Sequence, residues 1–201
     1  MVRRDFLKAS AAGAVTVGGV AVGLIAAPPR RTSPLEIPAP LTHEKSVFNV
    51  NGKSYNVEHE TRTTLWEVLS EKAGLTGTVR SCNKGTCGVC TVLVDETPYY
   101  SCHILASDVA GKSISTVEGL SDGTKLDPIQ EIAIRNMAVD CGYCTAGWIT
   151  VVKNFVAKNN NPSDAQIKNV LSGHICRCAA YAGIMRTVKD YAMYVRGEAI
   201  L

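Results

Sequence analysis

Every cysteine in the chain falls into one of two quartets, Cys82-x4-Cys87-x2-Cys90-x11-Cys102 and Cys141-x2-Cys144-x31-Cys176-x1-Cys178. No other feature limits the fold as strongly, because thiols at such spacings must converge, either on one another as disulfides or on metal. Four thiolates is the ligand number of a [2Fe–2S] cluster. The tight first loop, which supplies three sulfurs before a fourth returns from further along, has the spacing that such a cluster takes. The sequence therefore predicts two [2Fe–2S] clusters, one on Cys82, Cys87, Cys90 and Cys102 and one on Cys141, Cys144, Cys176 and Cys178. A chain so equipped moves single electrons, and bond-breaking chemistry is expected in a partner.

The N-terminus bears on the choice between disulfides and clusters. Arg3 and Arg4 precede an Ala/Gly/Val-rich stretch from Ala9 to Ala27, and residues 1–27 read as a twin-arginine export signal that directs the chain to the periplasm. The stretch holds four glycines, a serine and a threonine, a weak composition for a membrane span, so a membrane anchor is the alternative to a plain signal. In an exported protein eight cysteines would ordinarily mean four disulfides. Twin-arginine export carries proteins already folded, which lets clusters be inserted first. Net charge is +3, and Arg3, Arg4 and Lys8 against Asp5 supply +2 of it, leaving +1 for the rest. Nucleic-acid binding thus has no electrostatic support.

Residues 28–44 hold five of the eight prolines and form an extended tether. Beyond it, residues 45–120 alternate as strands. A hairpin turns at Asn51-Gly52, Thr64 and Glu67 cap a helix over Leu65–Lys72 that stops at Gly74, and strands are expected at Cys90–Val94, Tyr99–Cys102 and Ser113–Val117. This order is that of the β-grasp fold of plant-type ferredoxins. From 121 to 201 the period becomes helical. Asp127, Pro128 and Gln130 open a helix bearing Leu126, Ile129, Ile132 and Met137, and others follow over Thr145–Ala157, from Ser163 to Leu171 and over Tyr181–Val195. The expectation is an α+β chain: a β-grasp cluster domain followed by a four-helix, bundle-like cluster domain.

Gly85 and Gly88 allow the first loop to turn its N–H groups toward the sulfurs. Zinc is the competing metal for Cys141-x2-Cys144, but zinc sites usually pair two similar knuckles, and Cys176-Arg177-Cys178 is not one. His103 and His174 neighbour ligands. With eight thiols present they read as structural, since Rieske ligation would need histidines in place of cysteines. Arg177 either offsets cluster charge or makes a surface ion pair. Tyr143, Trp148 and Phe155 read as core residues.

At Cys82-Asn-Lys-Gly-Thr-Cys87-Gly-Val-Cys90-Thr, Cys141-Gly-Tyr-Cys144-Thr and Cys176-Arg-Cys178, the chain resembles the small iron–sulfur subunit of the molybdenum hydroxylases, the xanthine oxidase family. With the twin-arginine signal it is most similar to those of bacterial periplasmic aldehyde oxidoreductases. The resemblance covers residues 46–195. It implies a large molybdopterin-binding partner subunit against the helical-domain cluster, and an outer cluster on the first quartet. Electrons would leave to a flavin subunit carrying FAD or to a cytochrome c subunit carrying haem c. The implied substrate is an aldehyde. The alternatives are an N-heterocycle hydroxylase and a free-standing two-cluster carrier, against which the added helical domain argues. Three positions depart from the family: Asp140 stands where glutamine is common, Ala146 where proline follows the Cys-Gly-x-Cys-Thr motif, and Ala179 where glycine follows Cys-Arg-Cys.

Overall fold

The computed structural model describes residues 42–121 and 123–198, so the expected export signal and the tether up to residue 41 lie outside the described residues. Strands β1 (His43–Val50) and β2 (Lys53–Glu60) form an antiparallel hairpin. Its turn places Asn51 at φ +51° and Gly52 at φ +77°, the left-handed pair that a two-residue hairpin requires. Alternation decides the faces: Phe48 and Val50 are buried while Val47 is 45% exposed. Strand β5 (Ser113–Ser115) lies parallel to β1, β3 (Thr91–Val94) runs antiparallel to β5, and β4 (Thr97–Tyr100) closes the far edge, in the order β2-β1-β5-β3-β4. This is the expected β-grasp sheet. Its core gathers Phe48, Val50, Leu65, Leu69, Val92 and Ile114.

Three local expectations differ from what forms. Helix α1 is helical only over Leu65–Glu67 and then widens into a π-turn, Val68–Lys72, in which the Ala73 N–H reaches back to the Val68 carbonyl at 2.9 Å. The wider turn keeps Leu65, Val68 and Leu69 all buried. Strand β5 stops at Ser115 because the Asn51 side chain takes over the next residue: its Oδ1 accepts the Thr116 N–H and its Nδ2 donates to Thr116 Oγ1, both at 2.9 Å. The strand expected through Cys102 ends at Tyr100, and Cys102 sits on a 3-10 turn, Ser101–His103.

The helical lobe comprises α2 (Pro128–Arg135), α3 (Thr145–Lys158), α4 (Asp164–Leu171) and α5 (Tyr181–Val195). Reciprocal capping boxes open α2 and α4 at Asp127/Gln130 and Ser163/Gln166, as they do α1 at Thr64/Glu67. Ile129, Trp148, Val152, Ile167, Ile184 and Val188 fill the core. Leu126 and Met137, expected on the buried face of α2, are 44% and 75% exposed. Helix α2 ends at Arg135, Met137 takes φ +51°, and Ala138 enters the core instead, its N–H bonded to Ala133 O at 2.9 Å. Helix α3 packs across β3, and the described residues form one compact unit.

Candidate metal centres

All eight cysteines carry free thiols, so the disulfide alternative is not what forms. In the first quartet, Gly85 and Gly88 adopt φ +66° and +72°, where a side chain is strained. That path lets the Lys84 and Thr86 N–H groups donate to Cys82 Sγ at 3.4 and 3.5 Å. Thr86, through both hydroxyl and N–H, and the Lys84 N–H hold the Cys82 thiol down to about 5. The thiols come together in twos: Cys82 with Cys87, and Cys90 with Cys102. Burial, with Cys102 alongside, pushes Cys90 up to about 11.

The second quartet is assembled from two loops. Cys144 is the N-cap of α3, with Cys141 and Gly142 (φ +78°) ahead of it. Cys176 and Cys178 lie between α4 and α5, where the Cys176 N–H donates to Tyr181 Oη at 2.9 Å. Ala179, just after, is at φ +60°, a conformation that explains why glycine would be at home there. Cys144 pairs with Cys176, both buried, and Cys141 with Cys178, both exposed. Burial, with Cys176 beside it, pushes Cys144 up to about 12. The Tyr143 N–H and the Cys178 thiol lower Cys141, with the Asp140 carboxylate acting in opposition.

Twofold pairing of this kind suits a diamond-shaped two-iron core, in which each iron takes two thiolates. A small cavity behind Cys144 and Cys176 is lined also by Trp148, His174 and Tyr181. Trp148 Nε1 and His174 Nδ1 are buried without a hydrogen-bond partner. The residues present therefore fit [2Fe–2S] groups. Metal binding at the buried thiols must displace their protons.

The two cysteine loops are stitched together directly. The Ile175 N–H donates to the Cys87 carbonyl at 2.9 Å, joining a residue of the first quartet to the neighbour of Cys176. Tyr100 Oη donates to Gly173 O at 3.2 Å, and Tyr143 Oη donates to Arg80 O at 2.8 Å. Arg80 lies 3.8 Å over the Trp66 ring. Thr91 Oγ1 donates to Gly88 O at 2.6 Å and lies 3.3 Å from His174 Nε2. Burial pushes His174 down to about 4, consistent with a neutral ring. Glycines permit the approach. A Cβ on Gly88 would lie 2.2 Å from Gly173 O, and one on Gly147 would lie 2.3 Å from Gly88 O.

Trp148 is buried as expected and Phe155 packs at the core margin, whereas Tyr143 is 49% exposed and serves as a strut, not a core residue. Its hydroxyl needs a partner, and the Arg80 carbonyl is one. Arg177 is exposed and forms no ion pair among the described residues. His103 is exposed and packs against Gly85. Sequence reasoning missed Gly147, Gly173, Tyr100 and Thr91, because their role depends on the contact between lobes. The adjacency of glycine to both Cys87 and the Cys176 segment was the available signal.

Residues 48–118 match the 2Fe-2S iron-sulfur cluster binding domain family, and residues 116–189 match the [2Fe-2S] binding domain family. The aldehyde oxidoreductase iron-sulfur-binding subunit of Escherichia coli K12 is 36% identical over 208 residues, spanning 96% of this chain and 88% of that one. The chain belongs to the small iron–sulfur subunits of the molybdenum hydroxylase family. The nicotine 6-hydroxylase small subunit of Paenarthrobacter nicotinovorans is 39% identical over 153 residues, covering 76% of this chain and 92% of its own. Among solved structures, a chain of quinoline 2-oxidoreductase from Pseudomonas putida 86 superposes with TM-score 0.72 at 40% identity, covering 78% of this chain and 99% of that one. The aldehyde oxidoreductase of Desulfovibrio desulfuricans gives TM-score 0.74 at 34% identity, with the match covering 17% of that longer chain. Membership makes this chain a non-catalytic electron-transfer subunit of an oxidoreductase.

Gly147→Ala tests the contact between the lobes. Because backbone oxygens of Gly88 and Val89 stand within 2.8 Å of the added methyl, stability is expected to fall by about 1–3 kcal/mol. A thermal melt of the cluster-loaded protein reads this as a lowered Tm, and an unchanged Tm would contradict the contact.

Proposed function

We propose that this chain is the electron-transfer subunit of a periplasmic aldehyde-oxidising molybdenum hydroxylase. In this account it conveys electrons from the molybdopterin of a large subunit, through two [2Fe–2S] clusters, to a flavin subunit or a cytochrome c. The observation that carries the proposal is the Ile175 N–H to Cys87 O bond, which joins the loops of the two thiol quartets directly. When bound, the clusters supply one-electron carriers. The chain supplies the rest: Cys82, Cys87, Cys90 and Cys102 hold one, and Cys141, Cys144, Cys176 and Cys178 the other. The lobe containing the first spans 45–120 and that containing the second 121–201.

The surroundings of the quartets differ in a way that supports this order. Near Cys141 and Cys178 in sequence, the chain exposes Met137, Val139, Tyr143, Ile175 and Tyr181, an apolar character suited to a permanent partner surface. The exposed residues of the first loop are Ser81, Asn83, Lys84 and Thr86, polar groups suited to an acceptor that binds and leaves. An aldehyde is favoured by the Escherichia coli relative, whose similarity at 96% of this chain must extend into residues 1–41. A second reading, an N-heterocycle hydroxylase, draws on the quinoline 2-oxidoreductase match at 40% identity.

Purified complex should contain about four iron and four acid-labile sulfide per copy of this chain, two of each per cluster, and its visible absorption should bleach with an aldehyde faster than with an N-heterocycle. Zinc, or half that iron, would refute the cluster assignment; faster bleaching by the heterocycle would select the second reading. Export is tested separately. Arg3→Lys with Arg4→Lys should strand both this chain and its large subunit in the cytoplasm, and either one in the periplasmic fraction of that variant would contradict the shared export signal.

A further inference from the structure

Trp148 is 1% exposed, yet its indole Nε1 has no hydrogen-bond partner. An indole N–H can only donate, and leaving a buried donor unpaired costs about 1–3 kcal/mol. Something absent from the polypeptide should therefore accept it. Trp148 follows Cys144, the N-cap of α3, by four residues, so the two share a helix face. A long side chain on a helix leans back toward the N-terminus, which is the direction of Cys144. Trp148 also lines the same small cavity as Cys144 and Cys176. Two other lining side chains carry polar atoms: Tyr181 Oη already accepts the Cys176 N–H, and His174 Nδ1 makes no hydrogen bond with Trp148 Nε1.

We infer that the Trp148 indole N–H is a hydrogen-bond donor to the sulfur shell of the group held by Cys141, Cys144, Cys176 and Cys178, acting as a positioning and potential-setting residue for that centre. The inference rests on the proposed cluster assignment and adds a specific role within it. Thiolate and sulfide sulfurs accept hydrogen bonds, and each such bond stabilises the more negative, reduced state and raises the reduction potential. His174 plays a different part in packing: its ring braces Thr91, whose hydroxyl donates to the Gly88 carbonyl of the other loop.

Trp148→Phe removes the N–H and keeps an aromatic ring. In an EPR-monitored redox titration of the purified, cluster-loaded complex, the midpoint of the helical-lobe cluster should fall, with about a tenfold change in the reduced-to-oxidised ratio at fixed potential, or about 59 mV for one electron. The midpoint of the β-lobe cluster should stay in place. Equal midpoints in wild type and variant would overturn the inference, and so would equal shifts at both clusters, which would indicate general loosening. A second measurement needs no variant at this site. The chain has two tryptophans, so a Trp66→Phe protein grown with 15N-indole-labelled tryptophan carries label at Trp148 alone. Electron–nuclear double resonance should then show a 15N coupling on the helical-lobe signal, and its absence would overturn the inference. Failure of the underlying assignment looks different: a wild-type chain purified without iron would refute both, whereas clusters present with no Trp148 effect would refute this inference alone.

Discussion

The rest of the structure depends on the hydrogen bond from the Ile175 N–H to the Cys87 carbonyl, with the glycine contacts that let it form. Two lobes of different architecture each bring a cysteine loop to this point. A side chain on Gly88 would hold the two loops apart and one on Gly147 would hold α3 off the first loop, since a Cβ would fall 2.2 Å from Gly173 O and 2.3 Å from Gly88 O. A glycine within α3 weakens the helix by about 1 kcal/mol relative to alanine. That cost is offset because helix α3 can then lie on the 80–90 loop and place Cys144 at its own N-terminus, beside Cys176. Tyr100, Tyr143 and Thr91 add hydrogen bonds around the same seam.

This arrangement turns a folding constraint into a functional one. The seam joins the loops of the two quartets directly, as suits an electron-transfer subunit with two cluster-binding domains. The burial pattern matches. Within each quartet some thiols are withdrawn from water, and Cys90 and Cys144 are pushed up to about 11 and about 12 by that burial. Others remain at or near the surface, namely Cys82, Cys141 and Cys178. The buried Cys87 and Cys176 adjoin the seam, whereas Cys141 and Cys178 are exposed. The exposed residues near Cys141 are apolar, whereas those near Cys82 are polar.

Much of this was legible in the residues. The Asn51-Gly52 turn, the three capping boxes and the extent of α5 are local patterns whose physics is complete within a few positions, and each appears where expected. Deviations arise where a distant residue intervenes. Thr116 leaves its strand for the Asn51 side chain, and Val68 accepts a π-type bond so that Leu69 stays buried. Met137 continues a helical period on paper but follows a helix that has already ended. Tyr143 read as core by its spacing, yet its hydroxyl draws it to Arg80. Gly147 looked only like a weak point in a helix. Its meaning required the opposite lobe to be in view.

Hydrogen exchange at the Ile175 amide, followed by mass spectrometry on a peptide spanning residues 172–178 of the cluster-loaded protein, tests the seam most directly. If the lobes are one cooperative unit, this amide exchanges only with global opening, at the rate of core amides such as Val92 and Val152. Exchange much faster than in both cores, with each core still protected, would mean that the lobes part while folded, and the account of a direct seam would be wrong.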